Sequence, residues 1–388
     1  MGVRTLLARA ASARAAVLIA EAPGAWVLRA RTESAIAARG WRLAHSPADA
    51  DVLLTCGTAG PQLIALADRI RDQLPGPRER CTVTTAAQII GVLDAAQAGL
   101  ADDDRQRRGA RERQDPGDGN AHDDDSGEYE HEHAAEHDAD GDGDDGHSDH
   151  EGEGGHEGHG SHEMAPSGIP LAEGEPDIRD GLEMDALRLR LGPVLPCWPA
   201  GLTLVATLHG DTVARAEAEV IDRLAAPDPA HAGARSCDLA AGLLSLAGAD
   251  AAAARLRRIR DRMLRGAEAD ANGDTGRDAD AARDALLRER VRLRRAPLLR
   301  WSLRGAAPLD AAQARRLGLP AHHAGDAWDR LHALLADAAE PVPPAAPASD
   351  DPLPALCEAV TGRDLATARL LVAGLDLAHA AAERRAHA

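Results

Sequence analysis

The sequence predicts an α/β domain followed by an α+β domain, with a long charged linker between them. In the first part, short apolar runs alternate with amphipathic ones, which is typical of a parallel sheet with crossover helices. After the linker, Leu and Arg alternate over residues 187–191, which predicts an antiparallel strand, and helical spacing follows from residue 236. Between residues 115 and 163 the linker contains 19 carboxylates and no Arg. This segment therefore accounts for the whole formal net charge of −19. We predict four segments: an α/β domain at 1–108, a disordered acidic His-rich linker at 109–165, a β-segment with a helical bundle at 166–340, and a Pro-rich linker with a C-terminal helix at 341–388.

The elements of the α/β domain follow from local spacing. Residues 61–74 carry apolar side chains near helical period and end at Pro75-Gly76-Pro77, which predicts a helix closed by a turn. Residues 86–108 predict one further helix. The predicted strands are 15–19, 51–56 and 81–84.

The part after the linker changes in texture. Three strands are predicted, and His209-Gly210-Asp211 predicts a hairpin turn between the last two. Helical periodicity then dominates, with apolar stripes among many Arg residues. The predicted strands are 184–191, 202–208 and 213–221, and the predicted helices are 251–265, 278–295, 310–317, 327–339 and 365–382.

Composition excludes several classes of protein. The five cysteines form no Cys-x-x-Cys pair and are odd in number, so neither a disulfide scaffold nor a cysteine-ligated zinc site is expected. The N-terminal residues lack a secretory pattern, because Arg interrupts the apolar run. No stretch approaches about 18 uninterrupted apolar residues, so no direct membrane span is expected. We expect a cytoplasmic, reduced protein.

Two stretches of the first domain carry a resemblance. Residues 48–58 read ADADVLLTCGT and residues 72–78 read DQLPGPR. Together they resemble the cluster-bearing connecting subunit of respiratory complex I, whose core is flavodoxin-like and is shared by the small subunits of [NiFe]-hydrogenases. The resemblance implies a small flavodoxin-like sheet for residues 1–108.

The later part carries a second resemblance. Residues 192–202 (GPVLPCWPAGL) and 208–213 (LHGDTV) are similar to the N-terminal β-segment of the quinone-site large subunit of complex I, a relative of hydrogenase large subunits. Residues 303–319 and 324–330 (AGDAWDR) are similar to the stretch after that subunit's central helices. The order matches a degenerate fusion of the two subunits, and the resemblance covers roughly 200 residues.

The departures from the family pattern bear on the iron–sulfur cluster. A cluster requires four thiolates, which in the connecting subunit include an adjacent cysteine pair. This chain has no adjacent pair, Cys56 and Cys81 fall at the wrong positions, and residues 85–87 read Thr-Ala-Ala where the third ligand would follow the strand. We expect no iron–sulfur cluster.

The quinone site departs as well. In the large subunit, the β-segment carries two histidines that line the quinone pocket, and here those places hold Leu195 and Pro199. Neither side chain can donate a hydrogen bond to a quinone carbonyl. The Cys-x-x-Cys motifs that bind nickel in hydrogenases are missing too. The resemblance therefore implies a retained fold without catalytic or cofactor-binding residues.

The linker is the candidate metal-binding segment. Its imidazoles suit divalent ions such as Ni²⁺ or Zn²⁺, and the surrounding carboxylates raise the local concentration of cations. Binding would be weak and adaptable, because nothing holds three ligands rigidly. The alternative is a solvated spacer that keeps two domains apart. The candidate ligands are His131, His133, His137, His147, His150, His156, His159 and His162.

Two further groups of charged or ionisable residues indicate less specific roles. The Arg-rich helix at 254–265 lacks aromatic neighbours, which disfavours nucleic-acid binding and favours a partner-facing or solvated surface. His322, His323 and Asp326 lie near one another in sequence. Histidines in a loop beside a proline are more often structural or exposed than catalytic.

These observations support three functional hypotheses. The first is a non-catalytic structural or assembly subunit of a complex I-like or [NiFe]-hydrogenase-like oxidoreductase, held at the inner face of the membrane by its partner subunits. The second is a divalent-metal buffer or metallochaperone that works through the histidine-rich linker. The third, an active quinone oxidoreductase subunit, requires hydrogen-bond donors that positions 195 and 199 lack.

Overall fold

The computed structural model describes residues 12–114, 171–176, 183–222, 229–271, 277–341 and 352–376. Within these ranges it forms a parallel sheet, an antiparallel sheet and a helical bundle. The strands are β1 (Ala16–Glu21), β2 (Arg42–Leu43), β3 (Val52–Cys56), β4 (Glu79–Val83), β5 (Leu171–Pro176), β6 (Glu183–Leu191), β7 (Leu202–His209) and β8 (Thr212–Val220). The helices are α1 (Trp26–Ala38), α2 (Pro61–Gln73), α3 (Ile89–Ala101), α4 (Asp103–Gln114), α5 (Ala232–Leu246), α6 (Asp250–Ala271), α7 (Arg277–Arg294), α8 (Pro297–Leu303), α9 (Ala311–Arg316), α10 (Ala327–Ala339), α11 (Pro352–Val360) and α12 (Leu365–Ala373).

The N-terminal domain is built on four parallel strands in the order β2-β1-β3-β4. This is the strand order of flavodoxin-like sheets, so the predicted fold class is confirmed. β3 is buried along its whole length, as expected for a strand covered on both faces. Ile36 of α1 and Leu93 of α3 pack on one face, and Leu63 and Ile70 of α2 pack on the other.

Two features of this domain differ from the sequence prediction. α1 was not predicted, because its buried face consists of Trp26, Ala30, Thr32 and Ile36, which do not form a conspicuous apolar stripe. The predicted helix 86–108 is three elements: a 3₁₀ turn at Ala86–Gln88, then α3 and α4. Asp102 separates the last two, because its backbone (φ −82°, ψ 88°) is not helical. α4 continues to Gln114, so residues 109–114 of the predicted disordered linker are helical, and residues 115–165 of that linker lie outside the described residues.

The antiparallel sheet has the order β5-β6-β7-β8. The three predicted strands correspond to β6, β7 and β8, and the hairpin turn joins His209 and Thr212 as expected. β5 is an additional strand that pairs with β6. Its Gly-containing sequence lacks the Val, Ile and aromatic residues that mark strands.

Helices complete the second domain in two layers. Leu243 and Leu244 of α5, Leu256 of α6 and Leu331 and Leu335 of α10 form one buried cluster. Leu356 of α11 and Leu371 of α12 join a second cluster beneath the antiparallel sheet. α12 ends at Ala373, earlier than the predicted 365–382, and Gly374 follows it as the C-cap. Residues 352–376 thus form part of the second domain's core.

Among the helices that the structure describes, none combines the length and the apolar character that a membrane crossing requires.

Candidate functional site

The two domains meet where α1 contacts α5 and α6, a contact region that we call the joint. Trp26 and Ala30 of α1 form a small buried cluster with Ala234 of α5 and Leu264 of α6. The Arg235 guanidinium lies 5.5 Å from the centroid of the Trp26 ring, which is a cation–π distance. Ile221, which follows β8, also packs in the apolar cluster of β1, β3 and α2.

Buried charged side chains also connect α1 with α5 and α6. Arg29 on α1 donates to Glu21 at 2.5 Å and to Glu33 at 2.6 Å, and it also pairs with Asp238 on α5. Arg260 on α6, whose side chain is 1% exposed, donates to Glu33 and Asp238, each at 2.7 Å. Two arginines and two carboxylates therefore cross between the domains. With Glu21, these residues are the joint network, which consists of Glu21, Arg29, Glu33, Asp238 and Arg260.

Further ion pairs extend the joint network. Arg260 also donates to Asp261 at 2.9 Å and to the Ala30 carbonyl at 3.2 Å, so each of its nitrogen atoms has an acceptor. Arg235 donates to both carboxylate oxygens of Asp376, at 3.2 and 3.3 Å. The residues that follow α12 are thereby tied to the same region.

Electrostatics keep most of the joint network charged. Burial alone would raise the pKa of Asp238 and Glu33, but the guanidinium groups of Arg29 and Arg260 hold the pKa of both carboxyls below the ordinary range. At Glu21 the balance is reversed. Burial there outweighs the attraction of Arg29, and the pKa of Glu21 is raised.

A cavity of about 680 Å³ lies beside the joint network. Its walls come from β1 and α1, from the loop before β7, and from α5 and α6. Trp26, Trp41 and Trp198 line it, and so do Leu195 and Pro199. The volume is within the range of small-molecule pockets. Positions 195 and 199 offer this cavity apolar surface and no hydrogen-bond donor.

The loop before β7 is held by one tight contact. Trp198 Nε1 donates to the Leu202 carbonyl at 2.8 Å. Gly192 has a φ of +77°, and a Cβ atom at this position would lie 2.3 Å from Trp198 Nε1. Glycine is therefore required here both by the backbone conformation and by the close approach of the indole.

The cysteines are dispersed: Cys56 and Cys237 are buried, and Cys81, Cys197 and Cys357 are partly buried. Cys56 lies in the core between β3 and the helices, where burial raises the pKa of its thiol to about 12. Burial likewise raises the pKa of Cys81 and of Cys237 to about 12 and raises the pKa of Cys197. These thiols are protonated at neutral pH. In the ranges that the structure describes, no cysteine belongs to a cluster of three or more potential metal donors.

Thr85 and the two residues after it have a local structural role. The Thr85 side chain accepts from the Gln88 backbone, and the Gln88 side chain reaches back to the Thr85 backbone, which forms a capping box. Ala86 and Ala87 belong to the 3₁₀ turn that this box starts. The position that the resemblance assigns to a cluster ligand is therefore the start of a helix.

The eight histidines predicted as metal ligands, at positions 131, 133, 137, 147, 150, 156, 159 and 162, lie outside the described residues.

A different group of potential metal donors lies within the second domain. His322 Nε2 is 2.7 Å from Asp337 Oδ1, and His323 Nε2 is 2.7 Å from Asp337 Oδ2. Proximity in sequence had grouped these histidines with Asp326. In the structure, Asp326 instead caps α10, where its side chain accepts a hydrogen bond from the Asp329 backbone at 3.0 Å. Asp337 was missed because it lies on the far turns of α10, and only tertiary structure brings it to the histidines.

Comparisons of this chain with protein-family models, with curated proteins and with solved structures found no match.

Proposed function

We propose that this chain is a non-catalytic structural or assembly subunit of a membrane-associated oxidoreductase of the complex I or [NiFe]-hydrogenase type. One observation carries the proposal. Leu195 and Pro199, at the positions where the resemblance expects quinone-binding histidines, line the cavity at the joint. Beside that cavity, Arg29 pairs with Asp238 and Arg260 pairs with Glu33 across the joint. This arrangement supports a role in holding two domains together rather than in electron transfer.

The thiols support the same proposal. Cys56 is enclosed in the core of the first domain, and Thr85 is engaged in a helix cap. A cluster would require thiolates that converge on one point.

An assembly subunit also needs a surface for its neighbours. Leu298 and Trp301 on α8 are 81% and 82% exposed, and Leu287 and Val291 on α7 are about half exposed. Exposed apolar side chains on adjacent helices are typical of protein–protein contacts. We assign this surface, the α7–α8 patch, to contact with the other subunits, which would hold the chain at the inner face of the membrane.

The test is purification of the tagged chain from its native membranes in mild detergent, under anaerobic conditions. We expect it to migrate on a native gel within a complex much larger than 40.5 kDa. The double variant Leu298→Glu with Trp301→Glu should release it, because two buried charges would oppose the contact. Ile90→Glu, at another exposed apolar position on α3, is the matched control and should leave the complex intact.

Iron and acid-labile sulfide in the same sample test the non-catalytic part. About four irons per chain would overturn it, as four are expected for a cubane cluster. A wild-type chain that runs alone in every detergent would overturn the assembly role.

The second candidate function is a divalent-metal buffer or metallochaperone. It is favoured by the spacing of the linker histidines, such as His131-x-His133 and His156-x-x-His159. Deletion of residues 115–163 should then lower tolerance to nickel or zinc. Unchanged metal tolerance and unchanged oxidoreductase activity after this deletion would rule the function out.

A further inference from the structure

The geometry points to a Zn²⁺-class metal site formed by His322, His323 and Asp337, separate from the histidine-rich linker. The two histidines lie in a 3₁₀ turn at Ala321–His323, and Asp337 lies on α10. One donor atom from each residue lies within 4.8 Å of the others. In the part of the chain that the structure describes, these three residues are the group of His, Cys, Asp or Glu side chains whose geometry could hold a metal ion.

The arrangement of the donors fits a metal with little movement. Each imidazole faces a different oxygen of the same carboxylate, at 2.7 Å. An ion between the rings would therefore meet two nitrogen atoms and one or two oxygen atoms. Bond lengths of about 2.0–2.1 Å give nitrogen–oxygen separations of roughly 3.3 Å around a tetrahedral ion. Each of these two nitrogen–oxygen pairs needs to open by about 0.6 Å, and donors that now stand as far as 4.8 Å apart need to close to about 3.3 Å.

The partners of Asp337 set it apart from other buried carboxylates of the molecule. Asp238, Glu33 and Glu289 each pair with arginine. Within the described ranges, the ion-pair partners of the Asp337 carboxylate are the two imidazoles. Imidazole, unlike guanidinium, can lose its proton and become a metal ligand. The carboxylate and the two imidazoles can therefore act together as metal ligands.

Exposure differs among the three ligands. Asp337 and His323 are buried, whereas the His322 side chain is 42% exposed. An ion could enter past His322, which can also shift to widen the site. This open side leaves a coordination position for water or for a ligand from outside.

The ligand types and their surroundings indicate which ion binds and how tightly. Two imidazoles with one carboxylate suit Zn²⁺, Co²⁺ or Ni²⁺ rather than Mg²⁺ or Ca²⁺, which prefer oxygen. His323 Nδ1 is buried without a hydrogen-bond partner among the described residues. Metal-binding histidines usually donate through this second nitrogen, and loss of that contact lowers metal affinity by about 10–100-fold. We therefore expect a single exchangeable ion.

The test uses the full-length chain with the nine histidines of residues 115–163 replaced by asparagine, and a purification tag without histidine. This background removes metal binding by the linker. Titration with Co²⁺ alone should give one ion per chain and the visible absorption of a nitrogen- and oxygen-ligated site, and Zn²⁺ should displace the Co²⁺. Adding His322→Ala should weaken binding at least tenfold.

Two further variants control for folding and specificity. His45→Ala removes an exposed histidine of the first domain and should leave the Co²⁺ titration unchanged. Asp337→Asn keeps the shape of the carboxylate but removes its charge, and it should also weaken binding at least tenfold, with circular dichroism reporting the fold. Unaltered Co²⁺ binding in His322→Ala, or no binding in the background chain, overturns the site.

Discussion

Arg260 is a fully buried cation whose surroundings satisfy each of its nitrogen atoms. Glu33 comes from the first domain, and Asp238 and Asp261 from the second. Such buried pairs contribute little net stability compared with apolar residues of the same size. Removing one member is costly because it leaves the others buried and unpaired. We therefore expect Arg260 to contribute more to the geometry of the contact between the two domains than to its strength.

Replacing this residue should expose that cost. Arg260→Ala should lower the free energy of unfolding by about 3–5 kcal/mol, because Glu33 and Asp238 lose their shared cation. Urea denaturation followed by circular dichroism measures the change. Arg190→Ala, which breaks the exposed pair with Glu219, is the control and should cost less than about 1 kcal/mol. Equal effects of the two substitutions would contradict the assigned role.

The lowered pKa of Asp238 predicts acid sensitivity. A carboxyl whose pKa is lower in the folded state stabilises the protein above its unfolded pKa, about 3.9 for Asp, and this stability is lost as the pH falls toward the folded value. Stability should therefore decline once the pH approaches 4 and keep declining below it. Denaturation at a series of pH values should show a smaller slope for Asp238→Asn. Asp94→Asn, at an exposed carboxylate, should retain the wild-type slope.

At the scale of the elements, the turn that joins β6 to β7 shows why some positions accept only glycine. Gly192 and Gly248 share a positive φ, +77° and +73°, but their surroundings differ. Nothing lies within 4 Å of a Cβ added at Gly248, whereas a Cβ at Gly192 would meet both the Trp198 indole and the Leu202 carbonyl. Conformation limits both positions, and close packing limits only the first.

These two glycines form a matched pair for substitution. Gly248→Ala should cost about 1–2 kcal/mol, the cost of a left-handed conformation for a residue with a Cβ. Gly192→Ala should cost roughly a further 1–3 kcal/mol, because the indole must move. Thermal and urea denaturation provide the comparison. A Gly192→Ala variant as stable as Gly248→Ala would show that the indole contact is not rigid.

The elements also indicate which parts of the fold the sequence could predict. β3 and α2 were predicted almost to the residue, because an apolar run and a helical stripe each end at a turn-forming Gly or Pro. α1 was missed because the residues of its buried face form no conspicuous apolar stripe, and the break at Asp102 left no Gly or Pro signal. His322 and His323 were visible, but Asp337 reaches them only through the packing of α10.

For the whole molecule, the joint predicts that the two domains stay together without the covalent linker. An inserted protease site after residue 143 would allow the full-length chain to be cut within the linker. The two fragments should co-elute on size exclusion at micromolar concentration, because the joint network and the Trp26 cluster connect them. Fragments that separate at once would contradict a stable joint.

A substitution in the joint network tests whether its ion pairs, rather than apolar packing, hold the two fragments together. Asp238→Ala leaves Arg29 and Arg260 short of an acceptor, so the cut fragments of this variant should separate or co-elute only at higher concentration. Arg190→Ala should behave as the wild type. Cut fragments of both variants that remain together would assign the contact to apolar packing instead.

Arg29 and Asp238 lie on one polypeptide, 209 positions apart. Ribosomes that translate this chain deliver both sides of the contact in a strict one-to-one ratio, and tethering keeps each side at a high effective concentration for the other. Neither domain is made without the other, so the cell does not need to match the expression of two genes or to remove an unpaired domain.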